Sequence, residues 1–257
     1  MPELPDLQVF SRNLTKLLMG KKVKDVNVLN SKKLNVTEKE LKAKLAGGKV
    51  KKVYREGKEL QIEFDNDQIL ALHLMLRGKL DYFERKNTEK YSVIELIFSD
   101  DTGLAMADFQ GQATPTLNPE KRDTIDALDV DVAFLKETLK KSKAAIKKLL
   151  LDQHVVRGIG NAYVDEILWE AKISPFSIAN KIPETHIKAL AKAIKSVLQD
   201  AEKSILKSNP QIISGEVRDF LMIHNSKKEK SPTGAAIIVH EGSGRKTYYT
   251  EEQELFK

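Results

Sequence analysis

Apolar residues recur along this chain at two different spacings, and the change of spacing divides it. Over 5–19, Leu7, Phe10, Leu14, Leu17 and Leu18 return every three or four positions. That pattern predicts a helix, with Pro5 in its first turn and Gly20 at its stop. Alternating stretches follow: VKDVNVL, VKKVYREGKELQIEF, QILALHLML, KLDYF, SVIELIFSD and TGLAMADF, punctuated by DND at 65–67 and DDTG at 100–103. Alternation with a period of two between turn residues predicts antiparallel strands. A short helical pattern, TEKELKAKLAG, interrupts them. The first half is therefore expected to be a β-sandwich or barrel carrying an N-terminal helix.

After the loop TPTLNPEK the period lengthens. Helices are predicted at about 123–140, 142–151, 162–172, 184–207 and 214–222. Strand signal returns only in AAIIVHE and KTYYTEE, which flank the turn GSGR at 242–245 and read as a β-hairpin. Between them and the helices, the lysine-rich NSKKEKSPTG at 225–234 reads as a connector. The expected architecture is α+β, in three parts: a β-sandwich over 1–118 with its N-terminal helix, a helical domain over 123–225, and a finger-like hairpin over 226–257.

Composition narrows the chemistry. The 257 residues are 41% hydrophobic and 31% charged, a globular composition. No apolar run is long enough to cross a bilayer, and the N-terminus lacks the layout of a signal peptide, so a cytoplasmic protein is expected. There is no cysteine, which excludes disulfides, thiolate catalysis and cysteine-built zinc sites. The five histidines, at 73, 154, 186, 224 and 240, never pair at helical spacing. No metal and no cofactor is implied. The net charge of +6 is shared evenly: 20 Lys/Arg against 17 Asp/Glu up to residue 115, and 23 against 20 beyond it. An anionic polymer would have to be gripped by both halves. Ordinary solvated lysines fit the same numbers.

Four stretches admit both a chemical and a purely structural reading. In LLLDQHVVRGIGNAYVDEILW, the turn Gly158–Ile159–Gly160–Asn161 opens a helix whose first N–H groups suit a phosphate. Upstream, Lys140, Lys143 and Lys147 are spaced to share one helical face and track a nucleic-acid backbone. The plainer alternative is a capped helical turn beside a solvated face. Lys58 in REGKELQI reads as a strand residue, phosphate-binding or merely solvated. Met75, Leu76 and Arg77, ending the strand HLMLRG, read as a wedge that fills a vacated base stack or as hairpin core. Arg245 in GSGRKTYY stands at a hairpin tip, suited to clamp a phosphate bidentately or simply exposed.

The opening MPELP has a chemical reading too. Loss of Met1 would leave Pro2 as a free secondary amine. An α-amino group has a pKa of about 7.7–8.0, so roughly a tenth would be neutral and nucleophilic at neutral pH. Such an amine can attack a sugar C1′ and proceed to an iminium. Glu3, beside it at a helix start, is placed to relay protons. Helix punctuation by Pro2 and Pro5 is the structural alternative.

Taken together and in order, these stretches resemble the formamidopyrimidine-DNA glycosylase / endonuclease VIII family of base-excision repair enzymes. The carrying residues are PELP at 2–5, Lys58 in REGKEL, KAAIKKLLLDQHVVRGIGNAYVDEILWEAKISP at 143–175 and GRKTYY at 244–249. The resemblance implies a bifunctional DNA glycosylase/AP lyase that removes oxidised bases from damaged double-stranded DNA, working as a monomer, nucleoid-associated in a bacterium. Pro2 would be the nucleophile and Glu3 the proton relay. Lys58, Lys147, Gly160, Asn161 and Arg245 would hold DNA, Lys58 close to the chemistry. The iminium would permit β,δ-elimination.

Three departures from that family stand out. Its second acidic position after PELP is Asp6 here. Its four-cysteine zinc finger is replaced by residues such as Thr250 and Gln253, implying a zincless finger held by Ile237, Val239, Tyr248 and Phe256. The Arg–Arg–Phe run expected near DFQGQA at 108–113 is missing, leaving Leu76, with Met75 and Arg77, as the wedge. The stretch from Phe220 to Pro232 is also short for a loop that caps flipped 8-oxoguanine. The last departure and the short loop imply oxidised pyrimidines, ring-opened purines or further-oxidised guanine as substrates. A catalytically silent DNA-binding protein of the same fold, or an RNA-associated module, would carry the same phosphate grip.

Overall fold

The computed structural model describes residues 1–242 and 244–257; Ser243, within the GSGR turn, lies outside the described residues. The chain forms two compact units. Unit 1 comprises 1–122 and 205–216, and unit 2 comprises 123–204 and 217–257. The finger hairpin falls in the same unit as the helices.

Unit 1 opens with helix α1 (Leu4–Leu18), with strands β1 (Val23–Val28), β2 (Val50–Glu56), β3 (Glu59–Phe64), β4 (Ile69–His73), β5 (Lys79–Glu84), β6 (Ser92–Phe98), β7 (Thr102–Ala107) and β8 (Thr114–Leu117) following. Helix α2 (Glu38–Leu45) lies between β1 and β2, capped by the Thr37 side chain. The strands make two antiparallel four-stranded sheets, ordered β1-β6-β7-β5 and β2-β3-β4-β8. One apolar cluster joins both sheets to α1, through Leu7, Phe10, Leu14 and Leu18 of the helix and residues such as Phe64, Leu72, Leu96 and Met106 of the strands. Each of these fully buried side chains contributes about 1.5–3 kcal/mol. The expected sandwich with an N-terminal helix is therefore present.

The expected loop at 114–117 is instead β8. Pro115 pairs with Leu72 there, and β8 is an edge strand, where a residue lacking an N–H is tolerated. Gly103 is required inside β7, since a Cβ there would lie 2.3 Å from the Phe83 ring. The returning segment 205–216 is stitched to the sandwich: Asn13 Nδ2 donates to the Ile212 carbonyl at 2.8 Å and Leu80 N to Ser214 Oγ at 3.0 Å.

Unit 2 contains helices α3 (Val132–Lys140), α4 (Ile146–Leu151), α5 (Asn161–Glu170) and α6 (Glu184–Ser208), whose last residues belong to unit 1. Strands β9 (Ile238–Gly242) and β10 (Arg245–Tyr249) pair as the expected antiparallel hairpin. Two helical expectations fail. The helix expected from 123 begins only at Val132, because Asp131 caps it by accepting from Phe134 N at 2.7 Å. No helix forms over 214–222. Gly215 takes φ +90°, and the backbone N–H groups of Met222, Ile223 and His224 donate to the Glu166 carboxylate instead. No helix among the described residues is long and apolar enough to cross a membrane.

Candidate functional site

In unit 1 the first site residues sit at the start of α1. Pro2 and Glu3 are buried, Glu3 to 5% exposure. Asp6 Oδ2 accepts from Glu3 N at 2.8 Å, and the Glu3 carboxylate accepts from Asp6 N in return. This reciprocal capping box fixes the helix entry and so the peptide joining Pro2 to Glu3. Asp6, only 1% exposed, thereby gains a role that reading by residue type missed. The Met1 ammonium pairs with Glu216.

Lys58 is not in a strand. It occupies the tight turn Gly57–Lys58 between β2 and β3, with Gly57 at φ +57°. Arg55 braces this turn on α1, donating from Nε to Gln8 Oε1 and from Nη1 to the Gly57 carbonyl, both at 3.0 Å. The turn that carries Lys58 is thus tied to the helix that carries Glu3. His73 ends β4 nearby. Burial holds its pKa below the usual value, Glu59 works against that, and the Lys58 and Arg122 charges add to it. The imidazole is neutral at neutral pH, and its Nδ1 accepts from Met75 N at 3.1 Å.

That bond starts the turn holding Met75, Leu76 and Arg77. Met75 adopts φ +52°, and Gly78 N donates back to the Leu74 carbonyl at 2.8 Å. Gly78 is obligatory, because a Cβ would lie 2.2 Å from that carbonyl oxygen. The turn leaves Leu76 60% exposed, so it is not hairpin core.

Unit 2 holds the remaining candidates. Gln153 staples the turn between α4 and α5: its Nε2 donates to the Leu151 and Ile159 carbonyls, and its Oε1 accepts from Gly158 N at 3.0 Å. Gly160 then enters α5 with no side-chain cap, which leaves first-turn N–H groups suited to an anion. Asn161 Nδ2 donates to the Lys246 carbonyl of the hairpin at 3.0 Å. Arg245 begins β10 and is exposed.

The lysine stripe is corrected. Lys140 ends α3, Lys143 lies between helices and Lys147 lies in α4, so no single helix aligns them. Lys147 is 8% exposed, and its ammonium pairs with Asp165 Oδ1 at 2.7 Å and donates to Thr247 Oγ1 at 2.8 Å. It grips the hairpin rather than solvent. Asp165, with no exposed side-chain surface, also takes His224 Nδ1 at 2.7 Å and Tyr248 N at 3.0 Å on Oδ2. Its neighbour Glu166 has its pKa raised by burial and opposed by the three N–H donors of 222–224.

A family model described as the formamidopyrimidine-DNA glycosylase N-terminal domain matches residues 1–114, and one described as the formamidopyrimidine-DNA glycosylase H2TH domain matches residues 123–209. A formamidopyrimidine-DNA glycosylase of Ligilactobacillus salivarius is 36% identical over 208 residues, covering 74% of this chain and 73% of the relative. The chain belongs to the formamidopyrimidine-DNA glycosylase family. The homologue of Lactococcus lactis subsp. cremoris is 32% identical over 97% of both chains. Among solved structures, an LlFpg protein complexed with a THF-DNA and an inhibitor superposes with a TM-score of 0.89 at 29% identity, covering 98% of this chain and all of that one. A Lactococcus lactis Fpg bound to DNA containing an abasic site gives 0.86 at 29% identity, over 97% and 98%.

The finger of this formamidopyrimidine-DNA glycosylase homologue does not fit zinc. Thr250 and Gln253, at two of the metal-ligand positions, bond to each other instead: Thr250 N donates to Gln253 Oε1 at 2.8 Å, and Gln253 Nε2 donates to the Ile173 carbonyl at 2.9 Å. No group of three His, Cys, Asp or Glu suited to a metal occurs among the described residues. Tyr248 and Ile237 pack against Trp169 and Ile223 as expected, and Phe256 meets the His186 ring at 4.8 Å. Val239 does not pack, being 46% exposed. The Lys147–Asp165–His224 cluster supplies the polar part of the hold. Its members lie too far apart in sequence for spacing to reveal it. Two exposed aromatics also escaped the sequence reading, Tyr91 and Phe109, at 67% and 61% exposure.

Proposed function

We propose that this glycosylase removes oxidised bases from damaged double-stranded DNA and nicks the strand by β,δ-elimination, with the Pro2 nitrogen as nucleophile. Removal of Met1 frees that nitrogen. It attacks C1′ of an extruded nucleotide, the glycosidic bond breaks, and the base leaves with a proton. Glu3 relays protons as the sugar ring opens to the iminium. Loss of a proton from C2′ then expels the 3′ phosphate, a second elimination expels the 5′ phosphate, and hydrolysis frees Pro2. Lys58, the N–H groups at Gly160 and Asn161, and Arg245 bind phosphates. Leu76, flanked by Met75 and Arg77, fills the space left by the extruded nucleotide. Lys147 acts through the hairpin, not on phosphate.

The observation that carries this reading is the burial of Pro2 and Glu3 together at a helix entry locked by Asp6. Lesion class follows the missing Arg–Arg–Phe run, toward oxidised pyrimidines and ring-opened purines. Lactococcus lactis Fpg structures in complex with DNA containing an oxidised pyrimidine and with Fapy-dG DNA support that direction. The enzyme acts as a monomer in the cytoplasm, on the nucleoid. A silent DNA-binding protein is the second reading, favoured only where Met1 stays in place, because Pro2 N is then an amide and the terminal ammonium rests on Glu216.

Borohydride trapping on abasic and oxidised-pyrimidine duplexes decides the matter. Wild-type protein should form an adduct mapping to Pro2, Pro2→Gly should trap weakly, and Glu3→Gln should bind duplex but leave the base in place. Normal excision by Glu3→Gln, or no adduct from wild-type protein lacking Met1, would overturn the assignment.

A further inference from the structure

Three segments of unit 1 converge beside the wedge turn. Asp108 N donates to the Tyr91 carbonyl at 3.0 Å, and Ser92 pairs with Ala107, so the residues that precede β6 and follow β7 lie side by side. Leu29 N and Asn30 N both donate to the Val93 carbonyl, which brings the end of β1 alongside. Asp108 fixes the loop after β7 by accepting from Gln110 N, Gln112 N and Ala113 N at 3.0, 2.7 and 2.8 Å. The outcome is two hollows, of about 500 and 590 Å³, that share Tyr91, Asp108 and Phe109 as a common wall.

That wall is unusual for a surface. Tyr91 and Phe109 are the two aromatic residues with the greatest exposure among the large apolar side chains. Exposed aromatic rings need a reason, because burying each would contribute stability. Tyr91 also holds φ +61°, a left-handed backbone that a bulky side chain rarely adopts. Around the rings the charge is one-sided. Arg77, Lys79 and Lys90 line the first hollow, Lys32 and Lys33 the second. The two carboxylates present are engaged, Glu89 with Lys79 and Asp108 with its three N–H donors.

We infer that Tyr91 and Phe109 form a stacking platform for unpaired nucleotides of a DNA strand. The inference rests on the DNA glycosylase reading above and adds a site for single-stranded DNA. Flat rings take a base on a face irrespective of its identity, and flanking cations take the backbone. Duplex DNA offers no base faces, so a paired helix gains only the cations. Arg77 belongs both to the wedge turn and to the first hollow, so the platform begins where the wedge opens the duplex. A single apolar side chain, Leu29, joins the rings in the second hollow, which disfavours an apolar protein partner.

Binding of a fluorescein-labelled oligothymidylate, and of a labelled undamaged duplex of equal length, tests the platform by anisotropy. Tyr91→Ala and Phe109→Ala should each weaken oligothymidylate binding about fivefold or more, with duplex binding changed less. Tyr91→Phe and Phe109→Trp should retain it, which separates stacking from loss of fold. Unchanged oligothymidylate affinity in the double alanine variant overturns the platform, as does an equal loss on duplex. Wild-type borohydride trapping on an abasic duplex runs alongside. Absence of an adduct there sinks the glycosylase reading, whereas an adduct with unaltered oligothymidylate affinity sinks the platform alone.

Discussion

Unit 1 holds the Lys58 turn and the Met75–Arg77 turn on a sandwich core of Leu, Val, Ile and Phe, whereas unit 2 holds Arg245 on a hairpin whose buried apolar support is Trp169, Ile223 and Tyr248. In the first, stability is spread over many side chains, each contributing a small share. In the second, it is concentrated in one carboxylate. Asp165 takes a lysine, a histidine and a backbone N–H, and has no exposed side-chain surface. A buried ion pair adds little net stability over an apolar pair of the same size, but losing one partner leaves a charge stranded. The apolar core tolerates single losses in graded fashion, while the charged lock either stands or fails.

The sharpest way to break this contrast is to remove one side of the lock. Asp165→Leu should cost about 3–5 kcal/mol, because Lys147 stays buried without a counter-charge. Urea unfolding followed at Trp169, and amide exchange over 245–249, should both register it. Adding Lys147→Met to Asp165→Leu should restore most of the stability. A single variant costing less than about 1 kcal/mol, in the range of an exposed pair, would show that the hairpin is held by packing alone. The units would then not differ in kind.

Gly78→Ala probes unit 1 at the point where its backbone has least freedom. The added Cβ would meet the Leu74 carbonyl oxygen at 2.2 Å, a backbone atom that cannot rotate away. The expected loss is about 1–3 kcal/mol, from strain local to the wedge turn. Base excision should fall further than stability suggests, since Leu76 would be displaced while the apolar core remains intact. Equal excision by variant and wild type would detach the turn from the reaction.

How much of this was legible in sequence follows the same division. Alternation announced the strands of unit 1, since its core is made by neighbours on one face of each strand. Helix α1 announced itself through Pro5, Gly20 and its leucines. Strand β8 was hidden because Pro115 argues against a strand unless the strand is known to lie at an edge. Lys58 was misplaced because a tight turn leaves little trace between two strands of opposite direction, apart from Gly57. In unit 2 periodicity over-extended α3 and invented a helix over 214–222. The competing partner there, Glu166, lies more than fifty residues away, with Glu166 and Met222 separated by 56 positions. Lys147 looked like surface because lysine usually is. Only the fold reveals that Asp165 and Thr247 converge on it.

The smallest expected effect is a pH dependence confined to unit 1. The His73 pKa is depressed, mainly by burial, with Lys58 and Arg122 adding to it and Glu59 opposing. A depressed folded-state pKa stabilises the fold above the unfolded value of 6.5, and that stability is lost as pH falls through the folded value. His73→Gln keeps an acceptor for Met75 N but cannot take up a proton. The stability difference between wild type and His73→Gln, measured by urea unfolding, should therefore be constant above about pH 7.5, a full unit above the reference value. It should move against the wild type as the solution is acidified below 6.5. Unit 2 offers a contrasting histidine, His224, already bonded to a carboxylate. Protonation there strengthens an existing contact with Asp165, whereas protonation of His73 removes the acceptor on which the wedge turn hangs. A difference that stays flat through acidification would mean that His73 remains neutral throughout, or that the turn does not depend on its bond to Met75.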